Sequence, residues 1–94
     1  MARPRKRKRL GQKPHYNEFG PKGVPNRGFV YLNLEEYETI RLIDKEFKNQ
    51  EECAFIMGVA RSTIQKIYSD ARIKIATAII NGDTLIIEGN DYLN

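Results

Sequence analysis

The sequence predicts a mainly α-helical protein with a three-helix, helix-turn-helix core, a minor β pairing from short flanking strands and a disordered basic N-terminal arm. Apolar and small residues between positions 49 and 67 recur at the spacing of two helices joined by a tight turn. Two short β-favouring runs flank the helical region, and basic side chains dominate the first residues. We therefore expect a flexible arm over residues 1–14 and one folded domain over residues 15–94.

The segment 49–67 carries the signals of a helix, a turn and a second helix. Asn49 can accept a hydrogen bond from a free amide of the first turn, and Glu52 has the spacing of its capping-box partner. Gly58 is suited to end the first helix, because glycine adopts the positive φ of a helix C-terminus without steric cost. Ala54 is small enough for two helix backbones to approach. Any hairpin of two buried helices shares part of this pattern, so a purely structural hairpin is the alternative.

The start of the second helix carries short or hydrogen-bonding side chains, as contacts in a DNA groove require. Arg61 and Lys66 can serve phosphate or guanine, and Gln65 can present both amide groups to adenine. The pattern therefore favours docking on double-stranded DNA. The candidate DNA-binding residues of this helix are Arg61, Ser62, Thr63, Gln65, Lys66, Ser69 and Arg72.

Charge is distributed unevenly along the chain. The 16 Lys and Arg and 12 Asp and Glu give a net charge of +4, but residues 1–13 hold seven of the cations and no acid. Residues 14–94 therefore carry nine cations and twelve acids, a net of −3. A folded part with this charge does not attract DNA through its overall field, so the arm or a local face of the second helix must supply the attraction.

The basic arm is the second candidate nucleic-acid contact. Pro4 between Arg3 and Arg5 favours an extended backbone that can follow a groove. The alternative interpretation is a solvated tail with no ligand. The candidate contacts in the arm are Arg3, Arg5, Lys6, Arg7, Lys8 and Arg9.

Several classes of protein are disfavoured by the composition. One cysteine excludes an intramolecular disulfide and a cysteine-based zinc site, and it fits a reducing cytoplasm. No apolar run approaches the length of a membrane span. His15 is the only histidine and has no metal-ligand spacing around it, and no paired acid and base can be assembled. We expect a cytoplasmic protein that is not an enzyme, needs no cofactor or metal and has no membrane partner.

The region before the first helix is predicted to be an irregular connection followed by a strand. Residues 15–28 contain three Gly and two Pro, and Tyr16, Phe19 and Val24 are expected to anchor them to the core. Phe29–Leu32 is a β-favouring run.

The first helix is predicted over residues 34–46. Asn33 and Glu36 repeat the capping-box spacing at its start. Its expected buried stripe consists of Tyr37, Ile40 and Phe47, with Leu42 or Ile43.

The third helix is predicted to run from Arg61 to Asn81, with Gly82 closing it. Its packing stripe is expected to be Ile64, Ile67, Ala71, Ile75 and Ala78. Ile73, Ile79 and Ile80 lie partly outside that stripe, which suggests a second packing partner. We expect this partner to be a second copy in a homodimer; the alternative is the chain's own N-terminal loop and strands. A β-favouring run at 84–88 should pair with the earlier strand, within one chain or between two.

Taken in order, several segments resemble one small prokaryotic family of unknown function: ARPRKRKR, FGPKGVP, NLEEYETIRLID and QEECAFIMGVARSTIQKIYSDARIKIATAIINGDTLIIEG. Its members are predicted DNA-binding proteins whose helix-turn-helix is similar to region 4 of sigma factors. The resemblance spans Arg3 to Gly89 and implies sequence-directed DNA binding without enzymatic activity.

The chain departs from the family pattern at three places. Cysteines that members often carry in the basic segment are absent where Arg7 and Leu10 stand, so no metal role is carried over. Phe47 and Lys48 occupy a turn that usually has Gly and an apolar residue. Ala60 replaces a frequent Ser, which removes an N-cap from the recognition helix.

Three functions are open at this point. The leading hypothesis is a transcription regulator or chromosome-associated protein that binds double-stranded DNA. The first alternative is an RNA-binding or ribosome-associated protein, because a basic arm binds any polyphosphate. The second is a sigma-like interaction module that docks on RNA polymerase through its acidic surface.

Overall fold

Three helices pack against a small three-stranded sheet in the part of the chain that this computed structural model describes, Gly11 and residues 13–88. The elements in chain order are β1 (Glu18–Phe19), β2 (Phe29–Leu32), α1 (Leu34–Ile40), a π-helical turn (Arg41–Lys45), α2 (Gln50–Met57), α3 (Arg61–Asn81) and β3 (Thr84–Ile87). The prediction of a mainly α fold with a minor β pairing is confirmed.

Strand β3 is the centre of the sheet, whose order is β1-β3-β2. It runs parallel to β2, with Phe29 beside Thr84 and Leu32 beside Ile87. The predicted pairing of these two runs is therefore confirmed, and in this structure it forms within one chain. It is parallel because the three helices carry the chain across the sheet between the two strands.

Residues 15–28 contain a strand that the sequence did not predict. Strand β1 pairs antiparallel with the other edge of β3. Two residues are too few to show the alternation by which a strand is recognised. Tyr16, Phe19 and Val24 are all exposed, so the expectation that they anchor this segment in the core is wrong.

Helix α1 begins at the predicted capping box. Asn33 Oδ1 accepts a hydrogen bond from the Glu36 amide at 2.8 Å, and Glu36 Oε1 accepts one from the Asn33 amide at 2.9 Å. The helix predicted over residues 34–46 is confirmed to within one residue, since α1 and the π-helical turn together end at Lys45.

Phe47 does not join the buried stripe that was predicted for this helix. Its side chain is 85% exposed and its φ is 63°. The Glu46 amide donates to the Arg41 carbonyl, and the Lys48 amide donates to the Leu42 carbonyl, both at 2.9 Å. These wider turns leave the 3.6-residue period and rotate the following residue away from the core. Of the two alternatives predicted for the same stripe, Leu42 is buried and Ile43 is half-buried.

Two hydrophobic clusters form the core, and α3 contributes to both. The turn-side cluster lies among the helices and consists of Leu42, Cys53, Ala54, Met57 and Ile64. The sheet-side cluster consists of Leu32, Leu34, Ala71 and Ile87, with Tyr37 and Ile40 packed against it. The stripe predicted for α3 is confirmed, with Ile75 half-buried and its other members buried.

Candidate nucleic-acid interface

Helix α2 has the start and the end that the sequence predicts. Asn49 Oδ1 accepts a hydrogen bond from the Glu52 amide at 2.7 Å, and Glu52 Oε1 accepts one from the Asn49 amide at 2.9 Å. Gly58 adopts the left-handed conformation with φ 72°, and the Val59 amide donates to the Ala54 carbonyl at 3.0 Å. These bonds fix the direction in which the chain leaves α2 and enters α3.

Helix α3 starts without a side-chain cap. Its N-cap residue, Ala60, has extended backbone angles and no side chain that can accept a hydrogen bond. The Thr63 and Ile64 amides both donate to the Ala60 carbonyl, at 3.1 and 3.2 Å. The missing N-cap expected from the sequence is therefore confirmed.

The candidate contacts on α3 form a polar surface at the start of the helix. All of them are exposed except Thr63, which is half-buried. Ser62, Gln65, Lys66 and Ser69 follow steps of three and four residues and so share one side of the helix. Ile64 and Ile67 lie on the opposite side, buried against the core. The start of α3 thus buries one face and exposes a polar one.

Lys66, one of the predicted cations, has a partner within the chain. Lys66 Nζ donates to Asp70 Oδ2 at 2.8 Å, and this hydrogen bond raises the pKa of Lys66. The pair is exposed, so exchanging the carboxylate for a phosphate costs little. Among the described residues, Arg61 and Gln65 make no side-chain hydrogen bond or ion pair. These two side chains are available to a ligand without breaking a contact.

Two residues outside the predicted set, Tyr68 and Asp44, orient Arg72. Arg72 Nη1 donates to the Tyr68 hydroxyl at 3.2 Å, and its guanidinium lies 5.3 Å from the centre of the tyrosine ring. The Tyr68 hydroxyl donates to Asp44 Oδ1 at 2.7 Å, and desolvation together with this bond raises the pKa of Tyr68. The spacing of Tyr68 and Arg72 could have indicated their contact. Asp44 could not be found, because it belongs to another element.

The described chain begins against α1. The Gly11 amide donates to Glu38 Oε2 at 2.9 Å, and Arg41 donates two hydrogen bonds to the same carboxylate, at 2.9 and 2.7 Å. Glu38 is fully buried, and these bonds satisfy its charge. The predicted arm contacts lie outside the described residues; they are Arg3, Arg5, Lys6, Arg7, Lys8 and Arg9.

An acidic and aromatic surface lies at the start of α2. Phe55 is 78% exposed and lines a shallow groove of about 430 Å³ with Lys48, Glu51 and Glu52. Phe47 precedes this groove in the chain and is also exposed. Carboxylates repel phosphate, so this surface does not suit a nucleic acid.

A family model described as "Protein of unknown function DUF134" matches residues 1–94. The chain belongs to this family. A UPF0251 protein of Desulfitobacterium hafniense is 48% identical over 95 residues, which cover 98% of this chain and 75% of the relative. A UPF0251 protein of Halothermothrix orenii is 48% identical over 94 residues, covering 98% and 70%. UPF0251 protein Teth514_1147 of a Thermoanaerobacter species is 43% identical over 94 residues, covering 98% and 83%.

The predicted membership of a family of unknown function is thereby confirmed. No solved structure matches this chain with significance. Within the described residues, none of the helices combines the length and the apolar character that crossing a membrane requires.

Proposed function

We propose that the chain binds double-stranded DNA in a sequence-directed way, as a transcription regulator without catalytic activity. The observation that carries this proposal is the polar surface at the start of α3, held on two helices joined by the turn at Gly58. A helix-turn-helix presents the N-terminal residues of its second helix to base edges in the major groove. In this interpretation α3 is the recognition helix.

The side chains of α3 divide into base readers and phosphate contacts. Gln65 is exposed and carries an amide that can bond both polar atoms of an adenine edge. Arg61 can bond the two acceptors of guanine, and it has no partner to release among the described residues. Ser62, Thr63, Lys66, Ser69 and Arg72 are suited to the phosphates that flank those bases.

The basic arm supplies the attraction that the folded part lacks. Residues 14–94 carry a net charge of −3, and Glu51 and Glu52 are exposed at the start of α2. The six arm cations between positions 3 and 9 would neutralise phosphates without reading sequence. In this proposal the arm contributes affinity for any duplex, and α3 contributes the preference for one sequence.

The test begins with selection of bound sequences from a random duplex library. The selected duplex and a scrambled one are then titrated at several salt concentrations. Deleting residues 1–9 should weaken both duplexes alike, and each lost phosphate contact should flatten the log-log salt slope by about 0.9. Gln65→Ala or Arg61→Ala should instead reduce the difference in binding free energy between the selected and the scrambled duplex, by about 1 to 3 kcal/mol for a bidentate contact.

A matched control separates charge from position. Lys22 is exposed in the loop before β2, so Lys22→Ala removes the same charge as Arg61→Ala but lies outside the proposed surface. Lys22→Ala should leave the difference in binding free energy between the two duplexes unchanged. If arm deletion abolished sequence preference while Gln65→Ala weakened both duplexes equally, the arm would be the reader. Preference for structured RNA over the selected duplex would favour the RNA-binding alternative.

A second candidate function is docking on RNA polymerase through the acidic and aromatic surface of α2. The observation that favours it is the exposure of Phe47 and Phe55 beside Glu51 and Glu52, because exposed aromatic side chains are enriched where proteins bind one another. Purified RNA polymerase should retain the wild-type protein in the absence of nucleic acid and lose the Phe55→Ala variant. Tyr31→Ala, which removes an exposed aromatic side chain from β2, is the matched control.

A further inference from the structure

The exposed face of α3 changes from polar to apolar after Ser69. Ile73 is 62% exposed and Ile80 is 81% exposed. Residues seven positions apart lie almost on one line along a helix, and the exposed Ala76 and Thr77 lie between them. We call Ile73, Ala76, Thr77 and Ile80 the apolar stripe. It faces away from the core, so nothing within the described chain covers it.

The stripe can be buried without leaving a polar group unpaired. Thr77 Oγ1 already donates to the Ile73 carbonyl at 2.7 Å. The two cations next to Ile73 in sequence both have partners elsewhere: Lys74 donates to Glu36 Oε1 on α1 at 2.8 Å, and Arg72 donates to the Tyr68 hydroxyl at 3.2 Å. The usual costs of covering an exposed helix face, a desolvated hydroxyl or charge, are therefore absent.

The stripe is also complementary to itself. Its two isoleucines are equally distant from the midpoint between Ala76 and Thr77, so in an antiparallel pair Ile73 packs on the partner's Ile80. Ala76 at the centre lets the two backbones approach closely. We propose that two copies of this chain pair through the apolar stripe about a two-fold axis, with their α3 helices antiparallel. A second copy is the occupant because the same four residues supply both sides of the contact.

The apolar surface extends beyond one helix face. A stable interface buries about 800 Å² per partner, roughly one-ninth of the 6888 Å² surface of this chain. Ile79 is 71% exposed beside the stripe and lines a groove of about 390 Å³ together with Phe19, Pro21 and Ile75. This groove extends the exposed apolar surface beyond the stripe toward β1.

The pairing has a consequence that rests on the proposed function. Gln65 lies about 17 Å along the helix axis from the midpoint of the stripe, so the two copies of Gln65 lie about 35 Å apart. That distance matches one turn of DNA, about 34 to 36 Å. Gln65 is also about a quarter-turn around the helix from the stripe, so the two-fold axis can present both copies to the same side of a duplex.

Disulfide trapping tests the antiparallel pairing directly. An equimolar mixture of the Ile73→Cys and Ile80→Cys proteins should form a cross-linked dimer under copper–phenanthroline and air, while neither protein alone should. In the antiparallel pair, the two copies of residue 73 are about 10 Å apart along the axis, beyond the limit of about 7 Å between the Cα atoms of a disulfide. The native Cys53 is fully buried and cannot contribute. Cross-linking of either single protein alone would overturn the antiparallel arrangement.

Sedimentation and DNA spacing complete the test. The wild type should sediment as a dimer at tens of micromolar, and Ile80→Glu should weaken self-association by about a hundredfold or more while circular dichroism stays unchanged. A monomeric wild type would overturn the pairing even if it bound DNA. With DNA, two half-sites about 10 base pairs apart should bind more tightly than the same half-sites moved by half a turn. A trapped dimer without DNA binding would instead refute the proposed function and leave the pairing intact.

Discussion

The two halves of α3 belong to one continuous helix but distribute their side chains in opposite ways. Residues 61–70 bury the large side chains of Ile64 and Ile67 and expose hydrogen-bonding ones. Residues 71–81 bury the small side chains of Ala71 and Ala78 and expose isoleucines. Single exposed apolar residues are common, whereas a contiguous row of them indicates a partner. The first half therefore buries its large apolar side chains within the chain, whereas the second half exposes the face that we propose a second copy covers.

The strongest challenge to this comparison is a pair of Ile→Ala variants. Ile64→Ala in the first half removes a fully buried side chain and should lower the free energy of unfolding by about 2 to 5 kcal/mol. Ile80→Ala in the second half should change the stability of the protomer by less than about 0.5 kcal/mol. Urea denaturation at low protein concentration measures both. Similar losses in the two variants would mean that Ile80 packs within its own protomer.

The dependence of the Tm on protein concentration distinguishes the same two variants in a second way. If the second half pairs with another copy, the wild-type Tm should rise with protein concentration, because dimerisation stabilises only the folded state. Ile64→Ala should keep that dependence at a lower Tm. Ile80→Ala should reduce it. A Tm of the wild type that is independent of concentration would contradict the contrast between the halves.

The thiol of Cys53, which is buried against the first half of α3, tests the comparison through the pH dependence of the free energy of unfolding. Burial, reinforced by the nearby Glu38 carboxylate, raises the pKa of Cys53 from 9.0 to about 11. Between these values the unfolded thiol ionises while the folded thiol stays protonated, so its contribution is complete below pH 9 and is lost as pH rises toward 11. The contribution is up to about 2 to 3 kcal/mol.

The Cys53→Ala variant isolates this contribution. Every other ionisable group is the same in both proteins, so the difference between the two stability profiles reports the thiol alone. The wild type should lose stability more steeply than Cys53→Ala between pH 9 and pH 11 in urea titrations. Parallel profiles would mean that Cys53 is accessible to water in solution.

A smaller change in stability is expected from substitution of Ala60, the N-cap residue of α3. Ala60 has extended backbone angles that Ser can share, and its side chain makes no cap hydrogen bond. Ala60→Ser should therefore stabilise the protein by about 1 kcal/mol by accepting a hydrogen bond from an amide of the first turn. Ala60→Thr and Ala60→Val form a matched pair that differs in the hydroxyl but hardly in shape. If Thr were no more stable than Val, the amides at this end would already have good partners.

The sequence was sufficient for features that depend on local chemistry. Both capping boxes, the left-handed Gly58 and the ends of α3 follow from residues within a few positions of one another. It was insufficient where distant residues decide. Strand β1 exists because β3 offers it an edge, and Asp44 reaches Tyr68 across 24 positions of sequence. The polar start of α3 was predicted as a set, but its internal partners were not.

The position of Phe47 was predicted wrongly because its bulky apolar side chain indicates a buried residue. Its backbone instead adopts the left-handed conformation that glycine favours. The residue has φ 63° and is 85% exposed, so it carries left-handed strain without compensating burial. Relief of that strain is worth about 1 to 2 kcal/mol, and Gly costs about 0.5 to 1 kcal/mol of chain entropy, so Phe47→Gly should stabilise by about 0.5 kcal/mol or slightly more. Phe47→Ala loses the ring but keeps the strain, so it should gain nothing. Thermal unfolding of the two variants distinguishes these effects, and equal gains would attribute the cost to the exposed ring rather than to the backbone.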